Sequence, residues 1–178
     1  MPDETFAFRG LRRFIALGVI AGLTQVVAGL STLGIFGRRK RVAPILSSVW
    51  LCGTGVVAIA AFLSCRNGRV SLTDQGVDVR LGWLWRQVIP YATIAAAVPM
   101  DRSFIEGFGI RTDFRGTVAV VPWGTDVVAL DLSPPYDLPI FFVVKQKDAR
   151  RLQLGVEEED RFVSSVMQRV LATPPARA

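Results

Sequence analysis

Two long stretches without a charged residue constrain this chain more than any other feature. Residues 14–36 and residues 42–65 contain no Asp, Glu, Lys or Arg over 23 and 24 positions. About 20 apolar residues span a bilayer as a helix, and two such stretches in succession are rare in soluble proteins. The sequence therefore predicts two transmembrane helices. The alternatives are a buried soluble helix and, for the first stretch, a cleaved secretory signal, although that stretch is longer than a signal needs.

The connection between the two stretches is very short. Residues 37–41 read GRRKR, and so short a connection forces an antiparallel helical hairpin with both chain ends on one side of the membrane. Positive charge marks the cytoplasmic side. The connection carries four basic residues, namely Arg38, Arg39, Lys40 and Arg41. The other side carries six, namely Arg9, Arg12, Arg13, Arg66, Arg69 and Arg80. We therefore expect a multi-pass protein of the cell inner membrane with both termini in the cytoplasm.

Charge divides the chain at residue 69. Residues 1–69 hold 9 Lys/Arg and 2 Asp/Glu, and residues 70–178 hold 12 and 13, so the net charges are +7 and −1. The basic residues of the first part flank the spans, where they contact anionic lipid. A nearly neutral second part argues against binding to nucleic acid.

Nothing in the sequence points to catalysis. The chain has no histidine, which removes the commonest general base and the commonest metal ligand. We therefore expect no metal, no cofactor and no enzymatic activity. An enzyme stays an alternative only if Asp101, Glu106 and Asp113 converge in one pocket.

The part of the chain after the spans reads as short strands followed by one helix. The strand-like segments are VSLT, VDVRLGW, RQVIPY, TIAAAVPM, GFGIRTDF, TVAVVPW, VVALDLS, IFFVVKQ and RLQLGV. Strand-like segments at about ten-residue spacing suggest an antiparallel sandwich or barrel. The period then becomes helical in EEEDRFVSSVMQRVLA. One face of that helix holds Phe162, Val163, Val166, Met167, Val170 and Leu171.

The stretch VSLTDQGVDVRLGWLWRQVIPYATI, with the later FGIRTDFRGTVAV and EEDRFVSSVMQRVL, resembles the bacterial pleckstrin-homology-like (PH-like) domain family. The resemblance rests on Leu72, Thr73, Asp74, Gly76, Ile89, Pro90, Tyr91 and Ile94. It implies an α+β chain, in which a transmembrane hairpin precedes a PH-like antiparallel β-barrel or sandwich capped by a C-terminal helix. The implied parts are a basic N-terminal segment (1–13), the hairpin (14–65), the PH-like domain (69–172) and a tail (173–178).

Two pairs of residues near or within the spans suggest specific contacts. Trp83 and Trp85 lie two apart in a strand-like stretch, so they should share a face. That face is either the barrel core or the lipid interface, where Trp is favoured. Gly18 and Gly22 form a GxxxG pattern, with Gln25 near the same face. Such residues allow close helix packing, either within the hairpin or against a partner subunit.

The resemblance does not imply a lipid ligand. Headgroup sites of eukaryotic PH domains cluster Lys and Arg on the first strands to pair with phosphates. The corresponding strands here offer three arginines, Arg69, Arg80 and Arg86, against Asp74 and Asp78. The sequence departs from the headgroup-binding pattern, so we expect only weak attraction to anionic lipid.

The expected function is therefore non-catalytic. A PH-like domain would be presented at the membrane surface for protein–protein interaction, assembly or self-association. The candidate contact residues are Trp83, Trp85, Phe104, Phe108 and Phe114. The alternatives are a lipid-headgroup-binding or transport-accessory subunit of a larger membrane complex, and a membrane-bound enzyme.

Overall fold

The structure is a computed structural model, and it describes residues 3–36, 42–102, 109–141 and 144–173. Several residues singled out in the sequence lie outside these ranges, namely Arg38, Arg39, Lys40, Arg41, Phe104, Glu106 and Phe108. Most of the predicted tail lies outside them as well. Within the described ranges the chain is α+β, with two apolar helices on the N-terminal side, two β-sheets and a C-terminal helix.

The two apolar helices are α1 (Leu11–Phe36) and α2 (Val42–Ser64). Within and just beyond them, Leu11–Thr32 and Leu46–Asn67 are long and apolar enough to cross a membrane. α1 begins at Leu11 rather than at the predicted residue 14. Arg12 and Arg13 consequently lie exposed in its first turn.

Glycines let the two helices approach closely. A Cβ atom on Gly18 would overlap the Phe62 ring, and one on Gly22 would lie 2.6 Å from Ile59 Cγ1. A Cβ atom on Gly29 would lie 2.6 Å from Cys52 Sγ, so residue numbers rise on α1 as they fall on α2 and the helices are antiparallel. We call this contact the glycine seam; its members are Gly18, Gly22, Gly29, Cys52, Gly55, Ile59 and Phe62.

Gln25 does not reach the glycine seam, although the sequence placed it near that face. Its side chain is exposed on the outside of the hairpin. Three residues after Gly22 correspond to about 300° of helical rotation, which places Gln25 roughly 60° to one side of the seam.

The first sheet has four antiparallel strands in the order β1-β2-β3-β4. β1 is Glu4–Ala7, β2 is Arg69–Thr73, β3 is Gly76–Leu81 and β4 is Trp85–Ile89. Alternation is clear in β2, where Val70 and Leu72 are buried between more accessible neighbours. Short turns join β2 to β3 and β3 to β4. The inner face of this sheet contributes much of the core.

β1 was not expected. The sequence indicated only a basic N-terminal segment at residues 1–13 and a domain beginning at 69. The register pairs Glu4 with Leu72 and Ala7 with Arg69, so the strand before the hairpin joins the sheet after it. Four residues carry too little alternation to predict a strand, and the partner strand lies more than 60 positions away. The domain therefore includes residues on both sides of the hairpin.

The second sheet has five strands in the order β5-β8-β9-β7-β6. Its strands are β5 (Ile94–Asp101), β6 (Gly109–Thr112), β7 (Thr117–Val121), β8 (Asp126–Phe141) and β9 (Val144–Leu154). β7 and β9 are parallel, which corrects the expectation of an all-antiparallel arrangement. β8 also joins the predicted segment VVALDLS to the first two residues of IFFVVKQ, whereas the last three residues of IFFVVKQ belong to β9. The two sheets do not join into one closed barrel.

The core lies between the two sheets and is covered by α3 (Glu159–Ala172). Phe162 and Val166 of this helix are fully buried, whereas Leu171, predicted on the same face, is exposed. The Phe162 ring meets the Phe6 ring edge-on, with centroids 5.1 Å apart. α3 therefore packs directly against the N-terminal strand.

Candidate functional site

The start of α1 is held firmly by the domain. The Arg9 guanidinium forms ion pairs with Asp126 and, at 2.8 Å, with Glu159 Oε1. The next residue, Gly10, has a left-handed φ of +60°, and a Cβ atom there would lie 2.5 Å from Trp123 Cβ. Only glycine fits this turn against the Trp123 side chain. The chain consequently leaves β1 and enters α1 at a fixed angle.

The end of α2 is held in the same way. The Trp83 backbone N–H donates to Ser64 Oγ at 3.2 Å, and the Cys65 thiol lies 3.6 Å from the Leu81 carbonyl oxygen. Gly82 has a φ of +59°, and a Cβ atom on it would lie 2.7 Å from the Cys65 nitrogen. The turn between β3 and β4 therefore rests on the last turn of α2. We call the ends of α1 and α2 that meet the domain the hairpin base.

Trp83 and Trp85 do not share a face, contrary to the prediction. β3 ends at Leu81, and the intervening turn rotates Trp83 away from the strand direction. Trp85 begins β4, is 3% exposed, and donates its indole N–H to the Pro139 carbonyl oxygen at 2.5 Å. Trp83 is 52% exposed beside the hairpin base. Trp85 therefore packs in the core, whereas Trp83 stays exposed.

Three arginines form a row across the outer face of the first sheet. The register pairs Arg69 with Arg80, and Arg80 with Arg86. Directly opposed residues point to the same face, with Cβ atoms about 4.5–5.5 Å apart. The arginine row (Arg69, Arg80 and Arg86) crosses the end of the sheet nearest the hairpin base, close to Trp83. Arg66 is exposed in the short 3-10 turn that precedes β2.

Asp78 steadies the middle of the arginine row. Its Oδ2 accepts a hydrogen bond from Arg80 Nε at 2.7 Å, and the residue is buried among the strands. This hydrogen bond, together with the negative charge of Asp78, raises the pKa of Arg80. Arg69 and Arg86 lie on either side of the pair and are exposed. The row thus keeps two outward-facing positive charges around one internally paired arginine.

Sequence reasoning missed the arginine row, although the signal was present. A hairpin that closes between Thr73 and Gly76 pairs the residues four positions further out, which are Arg69 and Arg80. A turn that closes between Leu81 and Trp85 then pairs Arg80 with the residue after Trp85. A count of charges along these strands gives nearly equal numbers of arginines and aspartates. The strand register shows in addition that the three arginines lie side by side.

A cleft lies on the outer face of the second sheet. It has a volume of about 390 Å³ and is lined by Arg102, Arg111, Thr112, Asp113, Thr117, Ala119 and Gln153. Arg102 and Gln153 are each only 8% exposed, although both are polar. Neither residue was singled out in the sequence, because an isolated Arg after a strand and an isolated Gln within one have no distinguishing pattern.

Asp113 belongs to this cleft, whereas Glu106, which the enzyme alternative places beside it, lies outside the described residues. Burial favours a higher pKa for Asp113, yet hydrogen bonds from the Thr117 and Arg115 backbone N–H groups outweigh that effect and lower the pKa. Asp101 is exposed and does not line the cleft. Among the residues that the structure describes, no group of three or more His, Cys, Asp or Glu side chains is placed to hold a metal ion.

Phe114 occupies the turn between β6 and β7. It is 76% exposed and has a left-handed φ of +55°, which is uncommon for a bulky side chain. The opposite end of β6 begins at Gly109, which faces the Phe14 ring in the first turn of α1. The exposed phenylalanine therefore lies at the end of β6 away from the hairpin base.

No protein-family model, curated protein or solved structure matches this chain.

Proposed function

We propose that this chain is a non-catalytic, membrane-anchored interaction module. In this proposal α1 and α2 span the cell inner membrane, and both termini lie in the cytoplasm. The domain is a variant of the PH-like fold that is held against the bilayer and offers its far end to a protein partner. No cofactor or nucleic acid takes part.

The observation that carries the proposal is the pairing of β1 with β2 across the hairpin. Ala7 lies opposite Arg69, so the chain leaves the sheet for α1 and returns from α2 at the same end of two neighbouring strands. A domain attached at two points, with contacts to Ser64 and Trp123 at the hairpin base, has little freedom to swing away. This attachment suits a module that presents one defined surface at a fixed height above the lipid.

The charges near the hairpin base support placement on an anionic leaflet. The arginine row, Arg66, and the first-turn residues Arg12 and Arg13 all lie at this end of the domain. Basic residues close to an anionic surface contribute roughly 1 kcal/mol each. The exposed Trp83 beside them has the amphipathic ring that is favoured at the lipid interface. Membrane lipid is therefore one partner in this proposal.

The PH-like part of the proposal draws on element order. A four-stranded antiparallel sheet is followed by a second sheet and then by an amphipathic C-terminal helix that covers the core. The chain departs from the pattern by placing its first strand before the hairpin and by the parallel pairing of β7 with β9. The first departure fits a domain that has the spans inserted into it.

A protein partner is proposed because of Phe114. An exposed aromatic ring, held at a turn by a backbone conformation that bulky side chains rarely adopt, has no packing role within the domain. Aromatic residues are enriched where proteins meet their partners. Its distance from the hairpin base keeps the ring clear of the bilayer.

Photo-crosslinking in native membranes tests this proposal. A benzophenone amino acid replaces Phe114, Trp83 or, as a control, the exposed helical residue Gln168 in the full chain. We expect a protein adduct of defined size from position 114 and lipid adducts from position 83. Adducts of equal yield at positions 114 and 168 would mean that Phe114 marks no partner surface.

Membrane orientation is tested separately by cysteine labelling of intact cells. Asp3→Cys should be protected from an impermeant reagent, whereas Arg39→Cys should react. The β1–β2 pairing places Asp3 on the same side as the domain. Labelling of position 3 without position 39 would show that the domain lies outside the cytoplasm.

The arginine row favours one alternative, a domain that reads a lipid headgroup. Native mass spectrometry of the full chain released from mixed-lipid nanodiscs distinguishes the two functions. We expect retention of anionic lipids without preference for a headgroup, reduced in the Arg69→Ala/Arg86→Ala variant. Selective retention of one headgroup that this variant abolishes would replace protein binding with headgroup recognition.

A further inference from the structure

One guanidinium serves two carboxylates at the hairpin base. Arg9, two residues before α1 begins, forms ion pairs with Asp126 at the start of β8 and with Glu159 at the start of α3. The Glu159 side chain is 17% exposed, whereas that of Asp126 is 46% exposed. A single positive charge therefore faces two negative charges, and the less accessible of the two belongs to Glu159. We call these three residues the Arg9 cluster.

The buried oxygen of Glu159 lacks a hydrogen-bond donor. Glu159 Oε1 lies 2.8 Å from Arg9 Nη2, yet no group among the described residues donates a hydrogen bond to it. A carboxylate that is taken out of water depends on such donors to stay ionised. The first turn of a helix favours an ionised carboxylate, but that effect is modest. The ionised form of Glu159 is consequently held by the charge of Arg9 without a well-directed hydrogen bond.

Other charges around Glu159 oppose its ionisation. Asp126 of β8, Asp160 of α3 and Asp101 of β5 add negative charge, and Arg9 adds positive charge. Burial raises the pKa of Glu159 above its ordinary value of 4.5, Arg9 offsets this effect in part, and the three aspartates add to it. Glu159 therefore binds a proton at higher pH in the folded protein than in the unfolded chain.

The Arg9 cluster lies where the chain enters the first span. The Arg9 backbone N–H donates to the Gly155 carbonyl oxygen at 2.9 Å, and the Glu157 backbone N–H donates to the Ala7 carbonyl oxygen at 2.9 Å. These two hydrogen bonds join the segment that leads into α1 to the segment that leads into α3. A change in the charge of Glu159 consequently acts on the junction between the hairpin and the domain.

We propose that Glu159 is a proton-responsive contact that tightens the junction between α1 and the domain when the pH falls. Protonation removes a buried negative charge that has no hydrogen-bond donor, and it leaves Arg9 paired with Asp126. When the junction opens, Glu159 meets water and returns to its ordinary pKa of 4.5. The closed junction therefore gains stability as the pH falls through the raised pKa, and the gain is complete below 4.5.

Carbon-13 NMR of the full chain in a neutral detergent measures the pKa of Glu159, with Glu159→Gln to identify its signal. We expect a value above 4.5. Arg9→Gln should raise this pKa further, because the positive charge is lost. Asp126→Asn should lower it, because a neighbouring negative charge is lost and Arg9 keeps one carboxylate. A pKa at or below 4.5 in the unsubstituted chain would overturn the proposal.

Hydrogen exchange of the Arg9 amide, corrected for its intrinsic rate, measures the junction itself from neutral pH to about pH 4.5. One pKa unit corresponds to about tenfold in an equilibrium constant. The opening constant should therefore fall about tenfold for each unit by which the measured pKa of Glu159 exceeds 4.5. Glu159→Gln should show strong protection already at neutral pH and little change on acidification.

Glu157→Gln is the matched control, because it removes an exposed carboxylate two residues before Glu159. It should keep the pH dependence of the unsubstituted chain. A pH dependence that persists in Glu159→Gln, or that disappears equally in both variants, would show that Glu159 is not the responsive group.

Discussion

Replacing Phe6 with Ala tests whether the N-terminal strand is part of the folded domain. Phe6 lies in β1, before the hairpin, and is 3% exposed. Its ring meets the Phe162 ring at 78°, and the Arg161 guanidinium carbon lies 5.5 Å from its centroid. If the domain began at residue 69, this substitution would have almost no effect on its stability.

The structure gives a large expected effect. Truncation of a buried Phe to Ala costs about 3–5 kcal/mol, through lost burial and the cavity that remains. An edge-to-face aromatic pair contributes about 0.5–1.5 kcal/mol beyond the buried area. Domains are stable by roughly 5–15 kcal/mol in total. Phe6→Ala should therefore remove a substantial fraction of the free energy of unfolding.

Native-state hydrogen exchange of the full chain in a neutral detergent measures the loss. The informative amides are those of β2, β3 and α3, which share the core with Phe6. Phe114→Ala is the matched control, since the same truncation at an exposed position should change stability by less than about 0.5 kcal/mol. A double-mutant cycle of Phe6→Ala with Phe162→Ala should yield a coupling of about 0.5–1.5 kcal/mol.

Two results would refute this reasoning. The first is a loss of protection in Phe6→Ala that is no larger than in Phe114→Ala. The second is the absence of coupling between Phe6 and Phe162. Either result would mean that β1 does not pack beneath α3 and that the domain is complete without it.

Asp113→Asn should destabilise the domain at neutral pH, because the lowered pKa of Asp113 means that its ionised form stabilises the fold above the ordinary pKa of 3.8. The difference from the unsubstituted chain should shrink as the pH falls through the lower folded pKa, and thermal unfolding across pH measures it. Gly22→Ile should lower the melting temperature in detergent because its Cβ would lie 2.6 Å from a side-chain carbon of α2, whereas Gly53→Ile should have little effect, since nothing lies within 4 Å of a Cβ there. Trp85→Phe removes the donor to the Pro139 carbonyl oxygen and should cost about 1–3 kcal/mol in urea unfolding.

The cleft on the second sheet and the exposed Phe114 draw on residues that are scattered along the chain. Arg102, Asp113, Phe114 and Gln153 lie on or beside three different strands, and none of them forms a motif with its sequence neighbours. Of the aromatic contact candidates that lie within the described residues, Phe114 is the one at the far end of the domain. The cleft residues became visible only when the sheet order was known.

The sequence by itself determined the features that depend on one continuous segment, namely the apolar helices, α3 and most of the strands. The uncharged stretches predicted two apolar helices, because the length and composition of a span are properties of one continuous segment. Helical periodicity predicted α3 and the burial of Phe162 and Val166. Alternation predicted most of the strands after the hairpin. The prediction of Leu171 on the buried face was wrong: five residues after Val166 correspond to about 140° of helical rotation, which turns Leu171 towards solvent while Arg169 of the same turn is buried.

Tertiary structure alone decided what depends on pairing between distant segments. β1 pairs with β2 across the whole hairpin. β9 pairs with β8, which precedes it in the chain, and also with the more distant β7. These pairings bury the inner faces of both sheets against each other. A short sequence segment does not contain the information for them, because the paired strands are far apart in the chain. The same pairing lines up the arginine row, and the turn between β3 and β4 sends Trp83 outward and Trp85 inward. Charge and aromatic residues could be counted from the sequence, but strand register determined which of them act together.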